Sequence, residues 1–349
     1  MVSAVRWHAA GDVRLDEVEK IEPGEGQVEI AVAFCGVCGS DLHEILDGPH
    51  AIPVDVPHPL SRAVAPIVLG HEFSGIVTAL GAGVDGVAVG DAVVVEPNYR
   101  CGQCGQCRAG RYHTCTSFGF AGLMGDGGLA HRVVLPAYMI HPLPAGFDLA
   151  VAAVLEPAAV ALHAVRRSSI EPGGTAAVVG LGPVGLLVGL LLRNRGARTV
   201  VGIDPTSTRR DAAGALGFDV AVHSVAGIAA AGLVEGVDVA FEVAGNQDAF
   251  DAAISCARVG GEVVLMGLTD HLTLSAFDFV NDEKTVRASV GYNDCHGELI
   301  ELVQSGRLDL SPLVSRVVSL QDAPAMLLDM ANSGSTGLKT LIRVNEELS

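Results

Sequence analysis

Along roughly the first 150 residues, apolar positions come in short runs that alternate with polar ones and are cut by glycine and proline. Runs at 27–34, 75–78, 92–95 and 131–134 carry the two-residue period of half-buried strands, and helical periodicity between them is sparse. The pattern predicts an irregular, β-barrel-like domain over residues 1–155. From Leu155 the grammar changes. Apolar strands at 176–180, 199–203, 237–242 and 262–266 alternate with helices at 184–193, 209–216 and 247–257. Such alternation predicts a parallel, doubly wound α/β sheet over residues 156–295. A helix near 323–330 and a strand at 341–344 are expected to return to the first domain, which 296–349 would complete. Between Leu46 and Pro66 runs a loop with Gly48-Pro-His and Val56-Pro-His-Pro, expected near the active site or a subunit contact.

Composition narrows the partners. With 49% hydrophobic and 18% charged residues among 349, a packed core is expected and disorder is not. A formal charge of −18 repels phosphate backbones and anionic lipid heads, so neither nucleic acid nor membrane is an expected partner. The longest apolar stretch, 178–192, is short for a membrane span and is broken by Gly180, Gly182, Pro183, Gly185 and Gly189. The first residues lack the basic start, apolar run and small-residue site of a signal peptide, so a soluble cytoplasmic protein is expected.

Four of the eight cysteines form one tight group. Cys101, Cys104, Cys107 and Cys115 have the spacing C-x2-C-x2-C-x7-C, and glycines at 102, 105 and 110 permit sharp turns between them. Two-residue gaps let successive thiolates bend round one tetrahedral ion, and the longer loop brings the fourth. Four thiolates close the shell, so the expected ion is structural zinc; an iron–sulfur cluster or unliganded cysteines are the alternatives. His113 beside the group reads as a neighbouring or surface histidine.

A second set is more dispersed. Cys38, Ser40 and His43 fall within six residues, His71 and Glu72 are adjacent, and Glu156 lies at the edge of the α/β half. A catalytic zinc takes three mixed N, S and O ligands and keeps one position open. Cys38, His71 and Glu156 satisfy that count, with Glu72 as an alternate or exchanging ligand. Cys35, three residues before Cys38, reads as a small core residue of a strand.

Gly180-Leu-Gly182-Pro183-Val184-Gly185 sits between an apolar strand and an apolar helix. In that context the first glycine turns the chain, the second admits a pyrophosphate at the helix N-terminus, and the third packs helix on strand. Asp204 ends the next strand, where a carboxylate binds both ribose hydroxyls and repels a 2′-phosphate, favouring NAD over NADP. Arg209 is placed either to stack on the adenine or as a solvated helix charge.

Taken together, these motifs resemble the zinc-containing medium-chain dehydrogenases/reductases over nearly the whole chain. Within them the chain is similar to the polyol dehydrogenase branch, and in that branch to the 2,3-butanediol dehydrogenases. The resemblance is carried by residues 4–8, Gly36-Val-Cys-Gly-Ser-Asp-Leu-His-Glu44, the insertion from Leu46 to Leu60, Leu69-Gly-His-Glu-Phe-Ser-Gly75, the four-cysteine lobe, Leu155-Glu-Pro157 and 180–185. It implies a GroES-like catalytic domain, a Rossmann domain, two zinc ions per subunit and a homodimer or homotetramer. It also implies catalytic zinc on Cys38, His71 and Glu156, with Glu72 as a further ligand, and a proton path through Ser40 and His43. Val243, Ala244, Gly245, Met266, Gly267 and Leu268 would border the nicotinamide. The implied reaction is hydride exchange between NAD(H) and a small secondary alcohol or ketone, such as 2,3-butanediol and acetoin; a sorbitol-type polyol or threonine is the alternative substrate. The stretch 290–295 lacks the arginine of the sorbitol dehydrogenase site, and His131 stands where an acidic residue is usual. A rival of another class, a zinc-ribbon protein that senses NAD and binds a macromolecule, would leave Cys38, Ser40, His43, His71 and Glu156 without a role.

Overall fold

A strand pair opens the chain. Strands β1 (Val2–Ala9) and β2 (Asp12–Val18) pair antiparallel about a turn in which Gly11 has φ of 72°. Strand β3 (Gln27–Gly36) is buried along almost its whole length because it pairs with three other strands. Helix α1 (Gly39–Asp47) follows at once, turning Asp41, Glu44 and Ile45 inward. Strands β4 (Ile67–Val68), β5 (Glu72–Leu80), β6 (Ala92–Val95) and β7 (Asn98–Tyr99) lead into a loop-rich lobe with the single-turn helix α2 (Gly105–Arg108). After it come β8 (Gly119–Phe120), β9 (Arg132–Pro136), β10 (Ile140–Pro142) and the short helix α3 (Leu149–Ala153).

Helix α4 (Leu155–Arg167) carries the chain into strictly alternating structure. There follow β11 (Thr175–Val179), α5 (Pro183–Asn194), β12 (Thr199–Ile203), α6 (Ser207–Ala215) and β13 (Val220–Val222). The second half repeats the theme with β14 (Val237–Glu242), α7 (Gln247–Cys256), β15 (Ala257–Leu265), α8 (Ala276–Asn281) and β16 (Thr285–Ala288). All six strands are parallel, in the order β13-β12-β11-β14-β15-β16. That is the doubly wound order, with its switch point between β11 and β14.

The last elements are α9 (His296–Gln304), β17 (Val314–Ser319), α10 (Ala323–Ser333) and β18 (Lys339–Arg343). Strand β18 pairs antiparallel with β3, closing a seven-stranded sheet ordered β10-β6-β5-β3-β18-β17, with β9 also on β3. The computed structural model describes residues 1–333 and 338–348 and divides into two units. The first holds Met1–Glu156, His296–Gln304 and Leu310–Ser349; the second holds Pro157–Cys295 and Ser305–Asp309. Trp7, Phe73, Leu69 and Met139 lie in the core of the first, and Val201, Ala240, Ala253 and Val263 in that of the second. Among the described residues no helix is long and apolar enough to cross a membrane.

In the second unit, α5 seats against Phe218 so closely that a Cβ at Gly189 would stand 2.0 Å from the ring. Gly189→Val is therefore expected to lower the melting temperature by several degrees, an overpacking loss of about 1–3 kcal/mol. A thermal melt unchanged from wild type would contradict this packing.

Candidate active site and metal centres

Three strand ends meet in the first unit. Gly36 at the end of β3 pairs with Glu72 at the start of β5 on one side and with Leu341 of β18 on the other. A Cβ at Gly36 would lie 2.1 Å from Glu72 Oε2, so only glycine leaves the carboxylate room. Lys339, first residue of β18, places its Nζ 2.7 Å from both Glu72 oxygens and donates to Val37 O at 3.1 Å. Both side chains are buried. Burial alone would push Lys339 down, but the charges of Glu72 and Cys38 hold it above its ordinary range.

Cys38 is the N-cap of α1, and its N–H donates to Asp41 Oδ2 at 3.0 Å, half of a capping box. The other oxygen, Asp41 Oδ1, lies 3.5 Å from His71 Nδ1. A carboxylate there steers the opposite nitrogen, Nε2, outward as a ligand. His71 Nε2 stands 3.4 Å from Ser40 Oγ, and the Phe120 ring packs against the imidazole with centroids 5.9 Å apart. Burial favours the neutral ring, yet the charges of Asp41 and Cys38 outweigh it and raise His71 well above its usual range. The same anionic surroundings favour a cation.

The ligand atoms of Cys38, His71 and Glu72 lie within 4.8 Å of one another. A thiol, an imidazole and a carboxylate are the donor types of a catalytic zinc with one open corner, so the set fits the ion. Glu156, buried on the first turn of α4, is outside that group and acts through its charge on Lys339. His43 lies one turn beyond Ser40 on α1 and is exposed.

The cysteine lobe fits zinc more tightly. Cys101 Sγ lies 3.9 Å from Cys107 Sγ, and Cys104 Sγ 4.0 Å from Cys115 Sγ. A tetrahedron with zinc–sulfur arms of ~2.3 Å has sulfur–sulfur edges of about 3.8 Å. Backbone N–H groups of Cys101, Cys104, Cys107 and Ser117 point at sulfurs 3.3–3.4 Å away. Such bonds pull Cys104 down to about 5, while burial pushes Cys107 up to about 12. Four adjacent thiols cannot all ionise without a cation among them. His113, in the single turn 112–114, is buried rather than on the surface.

In the second unit, Gly180 has φ of 97°, and a Cβ at Gly185 would stand 1.9 Å from Gly180 O. Around Gly182, the N-cap of α5, there is open space. Pro183 and Val184 open the helix, whose free N–H groups suit a pyrophosphate. Asp204 follows β12, and its carboxylate accepts from Leu181 N at 2.9 Å and Thr206 N at 2.8 Å. Arg209 approaches it to 3.5 Å. At the ends of β14 and β15, buried Glu242 accepts from Ala244 N and Gly245 N at 2.8 and 2.7 Å and from Gly267 N at 3.2 Å. Its backbone O takes the Met266 N–H, and Val243 N bonds Val179 O, so the two loops are tied together beside β11. Both loops stand at carboxyl ends of strands, one on β14 beside the switch point and one on its neighbour β15, the sheet edge where dinucleotides bind in this topology.

Sequence reasoning missed Asp41, Lys339 and Glu242. The capping-box spacing from Cys38 to Asp41 was a usable signal; for Lys339, some 270 residues from its partner, there was none.

Comparison with known proteins agrees with this geometry. Residues 24–145 match the model of the alcohol dehydrogenase GroES-like domain, and 183–305 that of the zinc-binding dehydrogenases. The chain is 36% identical to the (R,R)-butanediol dehydrogenase of Bacillus subtilis (strain 168), covering 99% of this chain and 100% of that one. It is 31% identical to the sorbitol dehydrogenase of the same strain, over 95% of each. The crystal structure of 2R,3R-butanediol dehydrogenase from Bacillus subtilis superposes with a TM-score of 0.92 at 37% identity, covering 99% of this chain and 100% of that one. A GroES-like barrel that gathers a thiol, an imidazole and a carboxylate, a four-thiol lobe and a Rossmann sheet place the chain in the zinc-dependent medium-chain alcohol dehydrogenases.

Proposed function

We propose that this alcohol dehydrogenase interconverts a small vicinal diol and its hydroxyketone, 2,3-butanediol and acetoin, with NAD as the hydride carrier. The observation that carries this is the 36% identity to an (R,R)-butanediol dehydrogenase over nearly the whole of both chains. The aromatic wall beside His71 supports it. Phe120 packs on the imidazole and Phe118 meets Phe120 edge-on at 4.9 Å, which suits a short substrate with methyl ends.

Bound at these sites, zinc would supply Lewis acidity toward an alcohol or ketone oxygen and NAD would accept or return the hydride. In this reading Cys38, His71 and Glu72 hold the metal, with Glu156 as the alternate carboxylate. Asp41 fixes the His71 ring, and Lys339 restrains Glu72, so that ligand exchange at Glu72 must break an ion pair. Ser40, beside His71 Nε2, takes the alcohol proton, and exposed His43 passes it to solvent. Gly180, Gly182 and Gly185 admit the pyrophosphate at α5. Asp204 takes the ribose hydroxyls with Arg209 at the adenine side, and Val243, Met266 and Gly267 border the nicotinamide. Residues 1–155 and 296–349 serve as the catalytic domain, and 156–295 as the cofactor domain. Exposed Leu268, Phe277 and Val280 support a homodimer or homotetramer, and eight free cysteines support a reducing, cytoplasmic setting.

NAD-linked absorbance with each 2,3-butanediol stereoisomer, acetoin, sorbitol and threonine tests the substrate. The diol and acetoin are expected to be turned over fastest; a preference for sorbitol or threonine would overturn the assignment. Cys38→Ser is expected to remove turnover while NADH fluorescence titration keeps its affinity.

In protein with the Cys38–His71 site free of metal, Lys339→Met leaves Glu72 buried without a cation, so a loss of about 3–5 kcal/mol is expected, as for other broken buried pairs. Glu72→Gln in the same chain should recover most of it. Denaturant titrations of the single and double variants check both values.

Asp204→Ser is expected to raise kcat/KM for NADP relative to NAD by on the order of 100-fold, because like charges brought together cost several kcal/mol. An unchanged ratio would remove Asp204 from cofactor selection.

A further inference from the structure

A third group of donors lies in the first unit, and neither the reaction nor the cysteine lobe uses it. Glu96 follows β6, His141 lies in β10, and His296 begins α9. Strands β6 and β10 pair antiparallel with His141 opposite Val94, which brings the first two side chains to the same strand end. Glu96 Oε2 stands 3.0 Å from His141 Nε2 and 3.8 Å from His296 Nδ1. The two imidazoles lie nearly parallel, 11° apart with centroids separated by 4.7 Å, and turn these edges to the same carboxylate oxygen. The other oxygen, Oε1, is held elsewhere: Asn98 Nδ2 donates to it at 3.2 Å and the Arg100 guanidinium stands 3.6 Å away.

We propose that Glu96, His141 and His296 form a third metal site, taking a borderline divalent cation such as zinc. The three ligand atoms lie within 4.8 Å of one another. Arms of about 2.0–2.1 Å to nitrogen and oxygen give tetrahedral edges of about 3.4 Å, which the 3.0 and 3.8 Å separations bracket. Imidazoles with a carboxylate suit zinc, nickel, copper or iron, whereas calcium and magnesium want oxygen donors throughout. Glu96 and His296 are fully buried, while His141 keeps a solvent-facing edge, which leaves a corner for water and a path for exchange. An ion here would pin the start of α9 to the β6–β10 edge of the barrel. Its role is structural, as in the cysteine lobe, but His141's solvent-facing edge leaves it open to exchange.

The site makes a prediction independent of substrate. Untagged protein whose two thiol-bearing sites hold zinc is titrated with cobalt(II) and followed by absorbance and by metal analysis. One further equivalent per subunit is expected, with visible ligand-field bands but no thiolate charge-transfer band, since no sulfur takes part. His296→Gln and His141→Gln should each weaken that binding by on the order of 1,000-fold, more than the roughly 10–100-fold that loss of an orienting neighbour costs. Their zinc content at the thiol sites and their dehydrogenase turnover should stay at wild-type levels. His141, at the solvent edge, keeps the test usable if the buried variant fails to fold. No cobalt bound beyond the thiol sites, a third equivalent with a charge-transfer band, or wild-type affinity in the folded variants would each overturn the proposal.

Discussion

A carboxylate held out of water beside a thiol and an imidazole needs positive charge close by, and much of the barrel is arranged around meeting that need. Glu72 meets the Lys339 ammonium with both oxygens, and each side chain alone would carry a desolvation cost of several kcal/mol. The pair forms only because β18, from the end of the chain, lies against β3, which in turn lies against β5. Gly36 sits between them in register and has no side chain to keep them apart. The return of the last strand therefore does more than close the sheet. It brings an ammonium against both oxygens of a buried carboxylate next to Cys38 and His71.

The two thiol-bearing sites differ in the way their proposed roles require. In the lobe, four like donors come from one short segment, and backbone N–H groups satisfy their sulfurs in advance. Such a shell is closed, and its chemistry ends with holding the loop. At Cys38 and His71 the donors are unlike and come from separate elements, with Asp41 behind the imidazole and Lys339 behind the carboxylate. In the proposed role, Glu72 would be drawn between Lys339 and the metal, a donor whose engagement can vary. That is a property of a reacting centre rather than of a structural clamp.

What could be read from the chain follows the same division between local and distant. The cysteine lobe and the Gly180–Gly185 turn were legible because all their residues lie within one short segment and spacing alone carries the geometry. The parallel sheet was legible from its continuous apolar strands, as expected for strands buried on both faces. Helix α1 was not, since it spans nine residues with only Leu42, Ile45 and Leu46 to mark a face. The opening hairpin escaped although Val5-Arg6-Trp7-His8-Ala9 alternates, because the period breaks at the adjacent apolar pair Ala4 and Val5. Strand β13, three residues long, and β16, with mostly exposed side chains, gave no apolar run to detect. Lys339 and the Glu96–His141–His296 group come from strand ends and a helix start far apart in sequence. Only the register of β18 on β3 and of β10 on β6 brings them to their partners.

Buried acids elsewhere in the chain show how to tell chemistry from scaffolding. Glu44 gathers the N–H groups of His50, Ala51 and Ile52 and so anchors the start of the long loop after α1. Asp204 accepts from Leu181 N and Thr206 N, and Glu242 from three amides of the two loops beside β11. Each replaces lost hydration with backbone donors, and each thereby fixes a loop. Glu72 and Glu96 are different: both Glu72 oxygens face the Lys339 ammonium, and Glu96 Oε2 faces two imidazoles while Asn98 Nδ2 holds its Oε1. In a chain of net charge −18, being acidic says little about an individual carboxylate. The nature of its partner, fixed N–H dipole or exchangeable cation, separates an oxygen that holds the fold from one that can take part in binding an ion. Asp204 stands on the boundary between the two, since the amides that hold it leave lone pairs on each oxygen for a ribose.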